Sequence, residues 1–258
     1  MTSHEQAAPG RAGPGAGPAP RPISLAHPIP PPTGEYRWVY LWHWPIRAMH
    51  WVAALCILVL AATGFYIGRP YFAPPGTAAT PYLMGWVRLT HFVAAGLLVG
   101  TGIIRVYWLF AGNRFERWRA LFPVRKSDWV NLWRMIKFYL LIHPERAPRY
   151  LGHNPLQQFS YTLVYLAAAV MVITGFTLFG QATPEGFFYT VFAWVPSLLG
   201  GLQMVRFVHH VLTWFFLIFI PIHVYLAIRS DIIERSGSIT SIVSGGRFVP
   251  SDEHYADD

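Results

Sequence analysis

The chain has 258 residues, of which 53% are hydrophobic and only 12% charged, against roughly 25% charged in an average soluble domain. That balance excludes an ordinary water-soluble enzyme and points to the bilayer. The formal net charge of +8 is gathered in one connection instead of forming a nucleic-acid footprint, and the one cysteine, Cys56, lies inside an apolar run. An internal disulfide and a zinc site built from several thiolates are both excluded, and Cys56 reads as packing.

Residues 1–35 hold Pro9, Pro14, Pro18, Pro20, Pro22, Pro28 and Pro30 to Pro32 among glycines and alanines. Such a composition cannot bury a core, and a disordered tail is expected. No signal-peptide order precedes the first apolar run. His4 and His27 in this tail, and His254 in an acidic C-terminal tail spanning 249–258, read as solvated. Between the tails, 36–248 is expected to form one domain. A hydrocarbon core about 30 Å thick needs roughly 20 apolar residues per helical crossing, and four segments qualify: 46–67, 86–110, 157–180 and 204–228. The expected fold is an all-α membrane protein built as a four-helix transmembrane bundle.

The connection between the second and third spans carries nine of the 20 basic residues, from Arg114 through Arg125, Lys126, Arg134 and Lys137 to Arg146 and Arg149. The first outer connection has only Arg69, and 181–203 has none. By the positive-inside asymmetry, both termini and the central connection belong in the cytoplasm. Within that connection, Ser127 and Asp128 offer an N-cap. Trp129, Leu132, Trp133, Ile136, Tyr139 and Leu140 then recur at helical spacing, with Arg134 and Lys137 facing away. This pattern predicts a basic amphipathic helix on the inner membrane surface. Segment 181–203 is rich in Phe187, Phe188, Tyr189, Phe192 and Trp194, which suits either an interfacial aromatic belt or a surface for a partner. A faint echo links Thr63-Gly64-Phe65 with Thr174-Gly175-Phe176, although the third span has no histidine to match His50.

Ionisable residues inside spans mark function by default, and here they are His50, His91, His209, His210 and His223. Any one alone is explained by a hydrogen bond to a neighbouring helix, but their depths form a pattern. With alternating span directions, His50 and His223 share the cytoplasmic level, and His91 and His209 share the outer level. His209 and His223, 14 residues apart, are separated by roughly 21 Å with an offset of about 40° on an ideal helix, so they share a face. His210 points elsewhere and reads as a packing or supporting residue. Opposed imidazoles without cysteine or intramembrane carboxylate suit bis-histidine haem iron, at two heights, better than zinc or a di-iron carboxylate centre. Arg47, Arg88 and Arg206 each precede a proposed ligand by three residues and so share its face; each can neutralise a haem propionate or, alternatively, anchor a helix end by snorkelling. His223 lacks such a residue, and Arg229 or Arg105 can substitute. Gly96, Gly100, Gly102, Ala61, Ala62 and Gly64 would admit a flat macrocycle or close helix packing. A transporter or proton channel using membrane histidines is the alternative of another class, disfavoured by the absence of Asp and Glu from the apolar cores.

Arg47-Ala48-Met49-His50-Trp51, followed by an apolar run ending in Thr63-Gly64, and Arg206-x-x-His209-His210, leading through Trp214 and Phe219 to His223, together resemble the b-type cytochrome subunit of membrane-bound nickel-iron hydrogenases. Related di-haem cytochromes serve formate dehydrogenases and thiosulfate reductases. The resemblance implies a multi-pass subunit of the bacterial inner membrane with two haem b groups. It would anchor a periplasmic hydrogenase, made of an iron-sulfur small subunit and a large subunit, and pass electrons to quinone without itself activating H2. The resemblance also implies a histidine in quinone reduction near the cytoplasmic haem. His153 is the first candidate for that role and Asn154 the next, with His143 as competitor; a structural turn leading into the third span explains the same residues.

Overall fold

The computed structural model describes residues 34–71, 82–139, 149–233 and 237–257. His4, His27, His143, Arg146 and nearly all of the proline-rich tail lie outside the described residues. In chain order the elements are β1 (Tyr36–Tyr40), α1 (Trp44–Gly68), α2 (Leu83–Ala111), α3 (Trp118–Leu121), α4 (Lys126–Tyr139), α5 (Pro155–Gly180), α6 (Phe187–Val191), α7 (Trp194–Leu199), α8 (Leu202–Ile233), α9 (Ser238–Ser244) and β2 (Gly246–Pro250). Helices α1, α2, α5 and α8 are long and apolar enough to cross a membrane. They are the four expected spans, each carried slightly past its apolar core at one or both ends. Proline starts explain part of the extension: Pro45 and Pro155 open α1 and α5, where the missing N–H costs nothing. Pro221 lies within α8, which continues through it, as membrane helices tolerate.

Helix α1 packs on α2 and α5 packs on α8, while contact between the two pairs is sparse. The space between the pairs is a cleft of about 2290 Å³. This arrangement explains why the bundle buries so little of itself. In α2 only Ala94 is buried, and Leu97, Ile103 and Val106 are exposed, apolar residues suited to lipid on the outside and to a hydrophobic occupant within.

The densest packing is instead at one end, where Leu41, Trp42, Phe115, Leu151, Val249 and Tyr255 form a buried cluster. Above it, β1 and β2 pair antiparallel from Tyr36 opposite Pro250 to Tyr40 opposite Gly246. Gly245 makes the junction possible: its φ of 97° is left-handed, its carbonyl accepts from Leu41 N and Trp42 N at 2.8 Å each, and a Cβ would lie 3.0 Å from the Trp42 carbonyl oxygen. Only glycine meets both demands without strain. We refer to this as the ribbon end and to the opposite one as the α6–α7 end.

Three expectations are corrected here. Within the expected acidic tail 249–258, the described residues 249–257 do not stand apart from the fold. Val249 and Tyr255 belong to the buried cluster, and Asp257 accepts from Leu151 N at 2.6 Å and Gly152 N at 2.7 Å. Glu253 pairs with Arg149. The acidic side chains are used because the turn before α5 presents backbone donors that need acceptors; His254 alone of the three tail histidines is described, and it is exposed. In α4, Ser127 is not the cap, because Asp128 reaches back from inside the first turn to accept from Arg125 N at 2.9 Å. Leu132 and Met135 make its buried face, whereas Trp129 and Trp133 are 53% and 60% exposed. Lys137 lies 5.4 Å over the Trp133 ring instead of facing away. The apolar stripe is wider than the line of contact with α5, and the outward indole attracts the cation.

Candidate functional site

Helix α8 turns His209 and His223 toward the same cleft, as their spacing requires. At the ribbon end the His223 ring faces His50 of α1, with centroids 6.3 Å apart and planes at 54°. Toward the α6–α7 end, His91 of α2 stands close to His209. The fifth span histidine, His210, is exposed; its Nε2 accepts from the Trp214 indole at 3.3 Å, and its ring meets Phe65 of α1 edge-on at 5.6 Å.

The rings of His91 and His209 are held by residues that reading the sequence had not assigned to the site. His91 Nδ1 lies 2.9 Å from Thr63 Oγ1, and His209 Nδ1 lies 2.9 Å from Thr174 Oγ1. Each threonine is followed by a glycine that leaves room for the ring: a Cβ on Gly64 would sit 3.3 Å from His91 Cε1, and one on Gly175 would sit 3.4 Å from His209 Cε1. The signal was the Thr-Gly-Phe echo, whose two copies now prove to perform the same service in the two helix pairs. The phenylalanines diverge, since Phe176 stacks on Phe188 of α6 at 4.8 Å. Gly96, Gly100 and Gly102 have nothing within 4 Å of an added Cβ, so close helix packing does not account for them.

Of the arginines, Arg88 and Arg206 line the cleft, and Arg206 also donates to Gln203 Oε1 at 3.3 Å. Arg47 donates to the Val243 carbonyl of α9, which ties the start of α1 to the ribbon end. Arg105, a cleft residue from the far end of α2, donates to the Tyr165 hydroxyl at 3.0 Å and to the Glu116 carbonyl at 3.3 Å.

His153 and Asn154 also line the cleft at the ribbon end. The His153 ring lies 4.7 Å from Trp42 and 4.9 Å from Tyr161, and its Nδ1 is buried without a hydrogen-bond partner among the described residues. Burial, followed by the charge of Arg105, holds its imidazole down at about 3, so it is neutral at physiological pH. Asn154 caps α5: its Oδ1 accepts from Gln157 N and its own N–H donates to Gln157 Oε1, both at 2.9 Å. That reciprocal capping box is a helix-start device, which commits the Asn154 oxygen.

Glu116, in the turn after α2, is a second residue passed over in the sequence. It is 1% exposed, and its carboxylate accepts from His43 N at 2.6 Å, Trp108 Nε1 at 3.0 Å and Asn113 N at 3.0 Å, while His43 Nδ1 lies at 2.8 Å. Burial pushes its carboxyl up, but these hydrogen bonds prevail and hold it below the usual carboxylate range. The group therefore pins the start of α1 to the end of α2 as a charged acceptor.

The residues fit a bis-histidine macrocycle on three counts. A metal bound by two imidazoles at about 2 Å each places the ring centres about 6 Å apart, which the 6.3 Å separation of His50 and His223 matches. The threonine contacts leave Nε2 of His91 and His209 as the available metal donor. The cleft, at about 2290 Å³, far exceeds the roughly 300–1,000 Å³ of an ordinary ligand pocket. Among the described residues no group of three or more His, Cys, Asp or Glu converges as a metal cluster, so the donors come as pairs.

The sequence matches the family model described as prokaryotic cytochrome b561 over residues 41–245. It is similar to a protein of Azotobacter chroococcum mcd 1 named probable Ni/Fe-hydrogenase B-type cytochrome subunit, with 42% identity over 219 residues covering 83% of this chain and 90% of that protein. A protein of the same name from Cupriavidus necator is 40% identical over 211 residues, covering 81% and 86%. The Escherichia coli K12 protein named probable Ni/Fe-hydrogenase 1 B-type cytochrome subunit is 35% identical over 216 residues, covering 81% and 90%. The matched region contains every histidine of the cleft.

Proposed function

The chain belongs to the prokaryotic cytochrome b561 family, and from that premise we propose that it is the cytochrome b subunit of a membrane-bound nickel-iron hydrogenase, holding two haem b groups and passing electrons from H2 oxidation to membrane quinone. The observation that carries this reading is the arrangement of four imidazoles as two pairs at two levels of one cleft, both pairs using α8. The names of the relatives favour hydrogenase over formate dehydrogenase or thiosulfate reductase as the partner.

His50 and His223 hold one haem iron, and His91 and His209 hold the other. Bound haem b supplies a one-electron carrier whose potential is set by its ligands and surroundings. Arg88 and Arg206, beside the second pair, offer positive charge to propionates, and Arg105 does so at the ribbon end. Arg47 reaches α9 and is better suited to anchoring α1. The charge asymmetry of the connections orients the protein in the bacterial inner membrane with both termini in the cytoplasm. The α6–α7 end then faces the periplasm, where the hydrogenase small and large subunits dock, with the exposed Phe187, Trp194 and Leu198 available for lipid or partner contact. Quinone is assigned to the ribbon end, against neutral His153 and Tyr161; Asn154 supports that site through its cap, and His143 remains a candidate from the adjoining segment.

Haem quantification and reduced-minus-oxidised spectra of the complex purified from membranes test the assignment. Two b haems per chain are expected in the wild type, and one in each of His50→Ala and His209→Ala. A wild type without a b-type band, or alanine variants that keep both haems, would overturn it. His153→Ala should retain both haems and dye-linked H2 oxidation while losing quinone reduction.

A further inference from the structure

The contacts of the two threonines are directional. A threonine hydroxyl has one proton to give. Thr63 Oγ1 gives it to the Val59 carbonyl at 2.7 Å, with the Leu60 carbonyl at 3.3 Å. Thr174 Oγ1 gives it to the Val170 carbonyl at 2.8 Å, with the Met171 carbonyl at 3.0 Å. Toward the imidazoles, both oxygens can then only accept. This arrangement assigns the protons of His91 and His209 to Nδ1, consistent with the Leu60 and Met171 carbonyls that the same rings meet, and leaves each Nε2 lone pair for a metal.

Among the described residues His50, at the ribbon end, has no equivalent tie. Its Nδ1 is buried and has no hydrogen-bond partner among the described residues. His223 stacks on Phe219 with centroids 5.6 Å apart and planes at 12°. A ligand imidazole that donates its other N–H to an acceptor becomes a more basic donor to the metal. Stronger donation favours the oxidised iron, so second-shell hydrogen bonding lowers a haem potential.

We infer that Thr63 and Thr174 are positioning residues that lower the potential of the haem held by His91 and His209 below that of the haem held by His50 and His223. This rests on the ligand reading above. The chain thereby builds in a direction: one electron leaves the group at the α6–α7 end, which is oxidised, and reduces the group at the ribbon end. Because Thr63 and His91 belong to one helix pair and Thr174 and His209 to the other, each pair carries its own acceptor, and the Thr-Gly step supplies both the oxygen and the space.

Optical redox titration of the hydrogenase-bound cytochrome in native membranes tests this with Thr63→Val, Thr174→Val and the double variant, which keep the shape of the side chain and remove the hydroxyl acceptor, leaving in place the Leu60 and Met171 carbonyls that the two rings also meet. Both haems should be retained. The lower of the two midpoint potentials should rise in each single variant and rise further in the double, with the upper one unmoved. Thr63→Ser and Thr174→Ser should restore the wild-type value, which a purely structural role of the methyl group would not do. Where valine displaces the haem, Thr63→Cys and Thr174→Cys serve instead, since a thiol sulfur accepts only weakly, and the same midpoint should rise. An unmoved lower midpoint with both haems bound, or a shift of the upper one instead, overturns the inference. Retention of both haems in His91→Ala would instead sink the ligand reading beneath it.

Discussion

At the α6–α7 end, the rings of His91 and His209 are each tied to a threonine of the neighbouring helix. At the ribbon end, the polar groups are spent differently. Glu116, Asp257, Asn154 and Arg47 all secure helix starts, turns and chain termini, and His50 has no tie on Nδ1 among the described residues. One end therefore fixes the orientation of its rings from within the bundle, while the other fixes the backbone from outside it. The difference follows from solvent access. Inside a bilayer, unpaired polar groups are costly, so a threonine that can satisfy itself on its own helix and still accept is an economical orienter. At the membrane boundary, loops bring carboxylates and carbonyls that are too polar for the interior.

The largest test of this contrast is steric. Gly175→Val or Gly64→Val would push methyl groups into a histidine ring, and each should remove one of the two proposed b components from the spectrum while the other persists. Gly100→Val is the matched control: unlike Gly96 and Gly102, Gly100 does not line the cleft, it faces open space, and the variant should leave both. Retention of both components in the Gly64 and Gly175 variants would show that the rings are not confined as described.

Next comes Glu116→Ala, which strands His43 N, Trp108 Nε1 and Asn113 N without their acceptor and should destabilise the protein by about 1–3 kcal/mol for each donor left unsatisfied. Thermal unfolding in detergent reads this, and the ribbon-end haem should be lost before its counterpart. Simultaneous loss of both would mean that the two ends are not separable in stability.

The same groups give the ribbon end a pH dependence. Glu116 is held below its ordinary value of 4.5, so its contribution is full above that value and is lost as pH falls through its lower folded value. His153 is held at about 3 against 6.5; between those limits the unfolded chain binds a proton that the folded one refuses, so stability falls as pH drops below 6.5 and is fully present above it. His153→Gln should flatten the upper part of that decline and Glu116→Gln the lower part, both measured as unfolding temperature against pH. Unchanged profiles would remove both assignments.

Smaller effects should follow at the turn before α5. Asp257→Ala leaves two backbone donors without their acceptor and should cost about 1–3 kcal/mol. Asn154→Ala removes an N-cap worth about 1 kcal/mol. If Asn154→Ala also abolished quinone reduction at unchanged stability, the residue would contact quinone directly instead of supporting the site through α5.

Much of the bundle was legible because a bilayer enforces simple rules. Apolar length located α1, α2, α5 and α8, and helical repeat placed His209 and His223 on one face before any contact was known. The ribbon was missed because Tyr36–Tyr40 and Gly246–Pro250 are short and distant in sequence, and neither has a partner until the chain folds. The residues 249–257 were misjudged for a similar reason: an acidic stretch looks solvated unless the backbone donors it meets are visible. The echo of Thr63-Gly64 in Thr174-Gly175 was seen, but its meaning depends on which ring lies across from each copy.

The amino-acid sequence by itself determined that this chain crosses a membrane four times and carries imidazoles at two depths, since hydropathy and helical periodicity are local properties that survive without knowledge of neighbours. Only the tertiary structure decided which atoms meet: the opposition of His50 and His223, the orientation of His91 and His209 by threonine oxygens, and the burial of Glu116 beneath the start of α1. Hydrogen bonds are short and directional, and whether two side chains make one depends on the relative placement of helices that no single segment specifies.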